Sequence, residues 1–304
     1  MGYTLKQLIE LYRTDPESPF LRLRYQVRVK QDRLLSRISQ EYGSYQLRSI
    51  KARTLLDWHK SWAFGGKIAI AYELIARLRA LFRFGFVMFE DAECYRLVEI
   101  LKETRFRSLG PRLVQLTAEH VRAVRATAHN HFGWHSIALA QALQFELLLS
   151  QKDVIGEWVP VSEPGETDVV WRDQKWLRGL RWLNIDKNLV LRHAAGSSGR
   201  PVEVDLRTAP MVLEELKDYS QTVRSFLKSS HPLVINDVTG MPWSTAEYRR
   251  KWRLVANKAG VPEIVKNRDS VPPGMIGDGS DRADISKGIT LARIGYSVRR
   301  MRRR

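Results

Sequence analysis

The chain has 304 residues and sets 50 Lys+Arg against 33 Asp+Glu, a formal charge of +17, with 44% hydrophobic residues. That length accommodates two domains or one large one, and that hydrophobic content excludes a disordered polycation. A positive excess of this size repels itself and favours a polyanionic partner: nucleic acid first, with a membrane surface or ribosomal RNA also compatible, against a basic solvated surface with no dedicated partner.

The first residues, MGYTLKQLIELY, lack the layout of a signal peptide, because polar side chains interrupt the apolar run. Lys6 stands where a myristoylation signal needs Ser or Thr. No stretch approaches the roughly 18 consecutive apolar residues of a spanning helix. The expectation is a soluble, cytoplasmic protein with no membrane partner.

Thr4 reads as an N-cap, followed by Leu5, Leu8, Ile9 and Tyr12 at helical spacing. Asp15-Pro16 and Ser18-Pro19 break that helix. The next, within residues 20–43, has Tyr25, Val29, Leu34, Leu35 and Ile38 on an apolar face and is closed by Gly43. Arg22, Arg24, Arg28 and Lys30 fall off that face. KARTLLDWHKSWA, residues 51–63, predicts a third helix, in which Trp58 is spaced from Leu55 as a core residue. A fourth runs over residues 67–86, burying Ile68, Tyr72, Ile75, Leu78, Leu81 and Phe82. Residues 91–105 predict a fifth. It contains the single cysteine, Cys94, which reads as a small buried apolar residue and excludes both a disulfide framework and a Cys-rich zinc site.

This gives a helical domain over residues 1–107 and a basic Gly-Pro linker over 108–116. Helices follow from Thr117 and from Ser136. The second leads into LLLSQKDVIGEW, residues 147–158, where an apolar run turns abruptly polar at Ser150. LVLRH (189–193) and PVEVDL (201–206), joined by AAGSSGR, predict a β-hairpin. Helices return over residues 209–220 and from Ser244, whose spacing to Glu247 is that of a capping box. Residues 117–277 therefore predict a mixed, mostly helical domain with a small antiparallel sheet, followed over 278–304 by a basic irregular tail.

The order of these segments resembles the tyrosine recombinases of the phage-integrase family. The resemblance is carried by LT-AE at 116–119, Q-x-D at 151–153, LRW-x-x-ID at 180–186, the hairpin, PLVIND-x-TG-x-P at 232–242 and the YRRKWR-x-VA-x-x-AGVP helix at 248–262. It implies a mainly α fold with a small antiparallel sheet: a SAM-like core-binding domain and a catalytic-type domain on double-stranded DNA. It also implies assembly as a homo-oligomer on DNA, and a role in site-specific recombination or integration of a mobile element. In such chemistry a tyrosine hydroxyl attacks a phosphodiester, two arginines stabilise the charge on the phosphoryl oxygens, a hairpin lysine protonates the leaving 5′ oxygen, and a histidine-type group assists. The covalent link conserves the bond energy, so no cofactor and no metal are implied.

The resemblance assigns these positions residue by residue. Ser150 occupies the first arginine's place, and has neither charge nor reach. The hairpin lysine falls near Ser197, where there is none; Arg200 is close, but its pKa makes it a poor proton donor. The His-x-x-Arg box aligns with Arg268 to Val271, which puts Arg268 at the histidine and Val271 at the second arginine. Tyr296 resembles the nucleophile. The interval from Val271 to Tyr296 is shorter than the family leaves, and the abrupt change of texture there is what a truncated or frameshifted end produces. The implied protein is a degenerate recombinase impaired in cleavage, or alternatively a non-enzymatic DNA-binding protein that occupies recombination sites. A basic RNA-binding or structural protein is a third reading.

Phosphate contacts need only many modest cations. Arg22, Arg24, Arg28, Lys30, Lys51, Arg53 and Arg200 are the candidates, each weighed against a solvated helix face. His129, His131 and His135 read as a loop with exposed imidazoles rather than a metal site. Glu146 and Asp153 suggest an acid–base pair, against which the resemblance makes Asp153 orient a basic neighbour. Glu157-Trp158 is expected to pack beside the hairpin.

Overall fold

In a computed structural model the described residues are 2–110, 114–194, 201–223 and 230–271. The chain divides into two compact units, Met1–Pro111 and Arg112–Arg304. Ser197, Arg200, Tyr296 and the tail over 278–304 lie outside the described residues.

The first unit is built from α1 (Leu5–Thr14), α2 (Tyr25–Tyr42), α3 (Ala52–Ala63), α4 (Ile68–Phe89) and α5 (Ala92–Glu103). Thr4 and Gln7 close a reciprocal capping box at the start of α1: Gln7 N–H donates to Thr4 Oγ1 at 3.2 Å and Thr4 N–H to Gln7 Oε1 at 2.9 Å. Leu5, Leu8, Ile9 and Tyr12 then face inward. On α2 the buried stripe is confined to Leu34, Leu35 and Ile38, while Tyr25 and Val29 are only half covered. Trp58 of α3 is buried and stacks on Tyr42, ring centroids 4.2 Å apart. The stripe of α4 centres on Leu78, with Ala71, Leu74, Ile75, Leu81 and Phe82 buried round it. Tyr72, expected inside, is 41% exposed. At 3.6 residues per turn it sits roughly 120° from Leu78, off the stripe that Ala71 occupies. Cys94 is fully buried where α5 crosses α4. A Cβ on Gly85 would come within 2.5 Å of its Sγ, so only glycine permits this approach.

The second unit contains α6 (Ala118–Thr127), α7 (His135–Glu146), α8 (Gln151–Ile155), α9 (Pro210–Val223) and α10 (Thr245–Lys258). Its strands are β1 (Glu157–Pro160), β2 (Val170–Trp171), β3 (Gln174–Leu177), β4 (Val190–Ala194) and β5 (Pro201–Asp205). Helix α7 is buried all round, from Ser136 through Gln144, and α6, α9 and α10 are packed about it. A helix apolar on every side belongs at the centre of a core. The polar members of α7 are consequently all bonded. Glu146 accepts from the Val212 N–H at 3.0 Å and so caps the start of α9.

The expected hairpin forms as β4 and β5, antiparallel with Val190 opposite Asp205 and Ala194 opposite Pro201. A second sheet, in the order β1-β3-β2, was not anticipated. Glu157 and Trp158 belong to it, not to the side of the hairpin, and Trp158 Nε1–H donates to Pro242 O at 3.1 Å. Its tight turn, Arg172-Asp173, lacks the Asn-Gly or Asp-Gly signal and places Arg172 at φ 54°, in the left-handed region. The sheet lies against α8, since Trp176 Nε1–H donates to Ile155 O at 2.8 Å. Gly156 turns there at φ 71°, and a Cβ on it would strike the Trp176 ring at 2.3 Å.

Candidate phosphate pocket and basic surface

Ser150 is the N-cap of α8, set there by the abrupt end of the apolar α7 segment. Its Oγ–H donates to Asp153 Oδ2 at 2.6 Å and its N–H to the same oxygen at 3.1 Å, while Asp153 N–H returns a bond to Ser150 Oγ at 3.2 Å. The Ser-x-x-Asp spacing makes this box. It also spends the hydroxyl, which has both its donor and an acceptor position engaged inside the turn. Asp153 is 4% exposed. Its Oδ1 lies 3.6 Å from Nε2 of His193, an imidazole 7% exposed that β4 brings over α8. That nitrogen has no hydrogen-bond partner among the described residues. Hairpin and α8 thus meet at Asp153 through a histidine that the sequence did not single out.

Immediately beyond, Glu157 is buried at 2% exposure and binds two cations. Lys152 Nζ donates to Oε2 at 2.8 Å, and Arg178 Nη1 donates to Oε1. Burial works against ionisation of this carboxyl, but Lys152 and Arg178 outweigh it and hold its pKa below the usual value. Leu180 of the LRW segment is pinned between α8 and the 232–236 run, its N–H on Asp153 O at 3.0 Å and its carbonyl taking Leu233 N–H at 2.8 Å.

The turn over residues 267–271 is fastened to α7 and α10 by a buried amide cluster. Gln141 Nε2 donates to Ser270 Oγ at 3.0 Å, and its Oε1 accepts from Trp252 Nε1 at 2.7 Å. Ser270 Oγ donates in turn to Asn267 O at 2.7 Å. Arg268 points outward, 71% exposed on its side chain, while Val271 is 7% exposed. The turn that holds Arg268 and Val271 and the turn that starts at Ser150 are therefore both anchored to α7.

In the first unit, Arg22 pairs with Glu17 at 2.6 Å and Lys30 with Glu73 at 2.7 Å, both on the surface. Arg28 donates to Leu23 O at 3.1 Å and sits over the Tyr25 ring. Arg24 is the N-cap of α2. Lys51 and Arg53, at the start of α3, are exposed. They have no ion pair among the described residues.

The histidines are not an exposed loop. Residues Ala128–Phe132 form a π-helical turn. His129 Nε2 bonds Glu215 Oε2 at 2.8 Å, and its Nδ1 faces His135 Nδ1 at 2.9 Å. Arg125 Nε donates to the same Glu215, itself 2% exposed, at 2.5 Å. The Glu215 bond favours the charged imidazolium, burial opposes it, and the result is a raised His129 pKa. Only His131 of the three is exposed. Among the described residues no group of three or more His, Cys, Asp or Glu is arranged to hold a metal ion, and no helix is long and apolar enough to cross a membrane.

This architecture is found in solved structures. A lambda integrase bound to DNA superposes with a TM-score of 0.61 at 13% identity, over 88% of this chain and 83% of that one. A Tn1549 transposon integrase in complex with transposon right end DNA gives 0.59 at 13% identity, over 88% and 84%. The chain has the integrase fold. A lambda integrase dimer on a COC′ core site matches with a TM-score of 0.62 at 14% identity, over 88% of this chain and 86% of that one. No protein-family model and no curated protein matches the sequence. The likeness is one of fold, at 13–14% sequence identity.

Proposed function

We propose that the protein binds duplex DNA in the manner of an integrase and takes part in site-specific recombination or integration, with its own strand cleavage impaired. The closed Ser150–Asp153 box carries this reading. A hydroxyl committed to its own helix start cannot stabilise a developing phosphoryl charge, and Val271 is apolar and buried. Each missing oxyanion-type donor costs about 10²–10³ in rate. Binding survives such losses because it is summed over many phosphate contacts, and the charge of +17 supplies cations in excess. Tyr296 is the nucleophile that any residual cleavage would use, and Arg268 the group at the histidine position. Several lambda integrase structures hold more than one copy on DNA, as dimers on a core site and as a tetramer on a Holliday junction, and the same mode of binding would pair copies of this chain on its site.

A suicide substrate that traps the phosphotyrosyl link tests the reading. The expected result is salt-sensitive binding to duplex DNA, tighter than to RNA of equal length, with no accumulated covalent adduct. Efficient adduct formation that disappears in Tyr296→Phe would overturn the impairment. Equal affinity for RNA would favour a basic RNA-binding protein instead. Binding with no adduct under any condition leaves the non-enzymatic site-occupying reading in place.

A further inference from the structure

The Ser150 hydroxyl is consumed in its own turn, so a phosphate arriving beside α8 must be held by another side chain. The residue that follows points to one. Gln151 Oε1 accepts from Arg249 Nε at 3.1 Å, joining α8 to the second turn of α10. The backbone under Arg249 is fixed, because its neighbour Tyr248 is fully buried and bonded through its hydroxyl to Gln144 Nε2 at 3.0 Å. Gln151 Nε2 is buried and has no hydrogen-bond partner among the described residues, so the bond that orients this amide is the one to the guanidinium.

Two other cations of the YRRKWR segment are engaged elsewhere, while Arg250 is exposed. Lys251 Nζ lies over the Trp134 ring at 4.1 Å from its centroid, and Arg253 donates to Val265 O. Arg249 is exposed and engaged through Nε alone. Among the described residues its Nη1 and Nη2 groups have no acceptor. A guanidinium held by Nε keeps its terminal fork for a planar, two-point contact, the geometry that suits a phosphate.

We propose that Arg249, steered by Gln151, is a phosphate-binding residue that grips a DNA phosphodiester beside Ser150. The proposal rests on the DNA-binding reading above and names a contact within it. Gln151 is a positioning residue: it touches no ligand and sets the direction of the fork.

The test measures affinity for a labelled duplex across a salt series by fluorescence anisotropy. Arg249→Ala should bind about tenfold more weakly and lower the slope of log K against log salt by about 0.9, the loss of one phosphate contact. Lys258→Ala, which removes the same charge from the exposed far end of α10, is the comparison and should stay near the parent protein on both measures. Arg249→Lys keeps the charge without the fork and should fall between. Gln151→Ala should weaken binding with the slope kept, since the charge remains and only its orientation is lost. Circular dichroism of each variant verifies the fold. If Arg249→Ala matches Lys258→Ala, the effect is bulk charge and the assignment fails. If Gln151→Ala matches the parent, the steering fails. An unsubstituted protein that binds no duplex overturns the DNA-binding reading and this contact together, a failure recognisable because it needs no variant.

Discussion

Asp153 and Glu157 are both buried carboxylates, 4% and 2% exposed, on one short stretch of chain. Glu157 holds Lys152 of α8 and Arg178 from the end of the three-stranded sheet, and so ties a helix to a sheet. Asp153 turns Oδ2 onto the hydroxyl and N–H of Ser150, three residues back, closing a local turn, and sets Oδ1 3.6 Å from His193 of β4. A carboxylate that joins two elements must keep its cations, because a buried charge without a partner is costly. A carboxylate oxygen that caps its own turn can be satisfied by neutral donors. The start of α8 is therefore complete without a cation at Ser150.

Four measurements bear on that contrast. Glu157→Ala should be the most damaging, about 3 kcal/mol in urea unfolding, since it removes a buried ion-pair centre and unlinks α8 from the sheet. A loss under about 0.5 kcal/mol, the size of an ordinary surface substitution, would break the comparison. Gln141→Ala should cost about 2 kcal/mol by leaving Trp252 Nε1 without its acceptor and releasing Ser270 from α7. Proteolysis near residue 267 should quicken in the same variant. Ser150→Ala should cost only about 1 kcal/mol, the value of an N-cap, and leave duplex affinity unchanged.

The smallest effect is in acid. The Glu157 carboxyl titrates below its ordinary value in the folded protein, so its contribution to stability is complete above that ordinary value and is lost as pH falls through the folded one. Stability of the parent should decline over that acid range, and Glu157→Gln should show a flatter curve. A parallel pair of curves would mean that the two cations do not set this titration.

Much of the fold is legible because apolar side chains recur at the 3.6-residue period of a buried helix face. Leu5, Leu8, Ile9 and Tyr12 announce α1, and the hairpin strands alternate as a half-buried sheet does. Tyr72 misleads because it is apolar and four residues from Ile68, although the stripe it would join runs through Ala71 and Leu74. The three-stranded sheet is hidden for another reason. Its strands are two to four residues long and its turn carries Arg172, which no turn propensity favours. At the start of α8 the Ser-x-x-Asp spacing is itself that of a capping box, a local reason for Ser150 that needs no resemblance. His193 and Arg249 could not be found by spacing, because each reaches α8 from a distant part of the sequence, Arg249 from 98 positions beyond Gln151. The histidines failed for the same reason: Glu215, which binds His129, is supplied by α9.

The contact between Gly85 and Cys94 gives the first unit an internal reporter. The thiol is sealed between α4 and α5, and burial pushes its pKa up, so it is neither reachable nor ionised while those helices stay together. An alkylating reagent can modify it only during moments when the pair separates. With one sulfhydryl in the whole sequence, the rate of labelling is a direct clock for that opening, free of signal from the rest of the molecule.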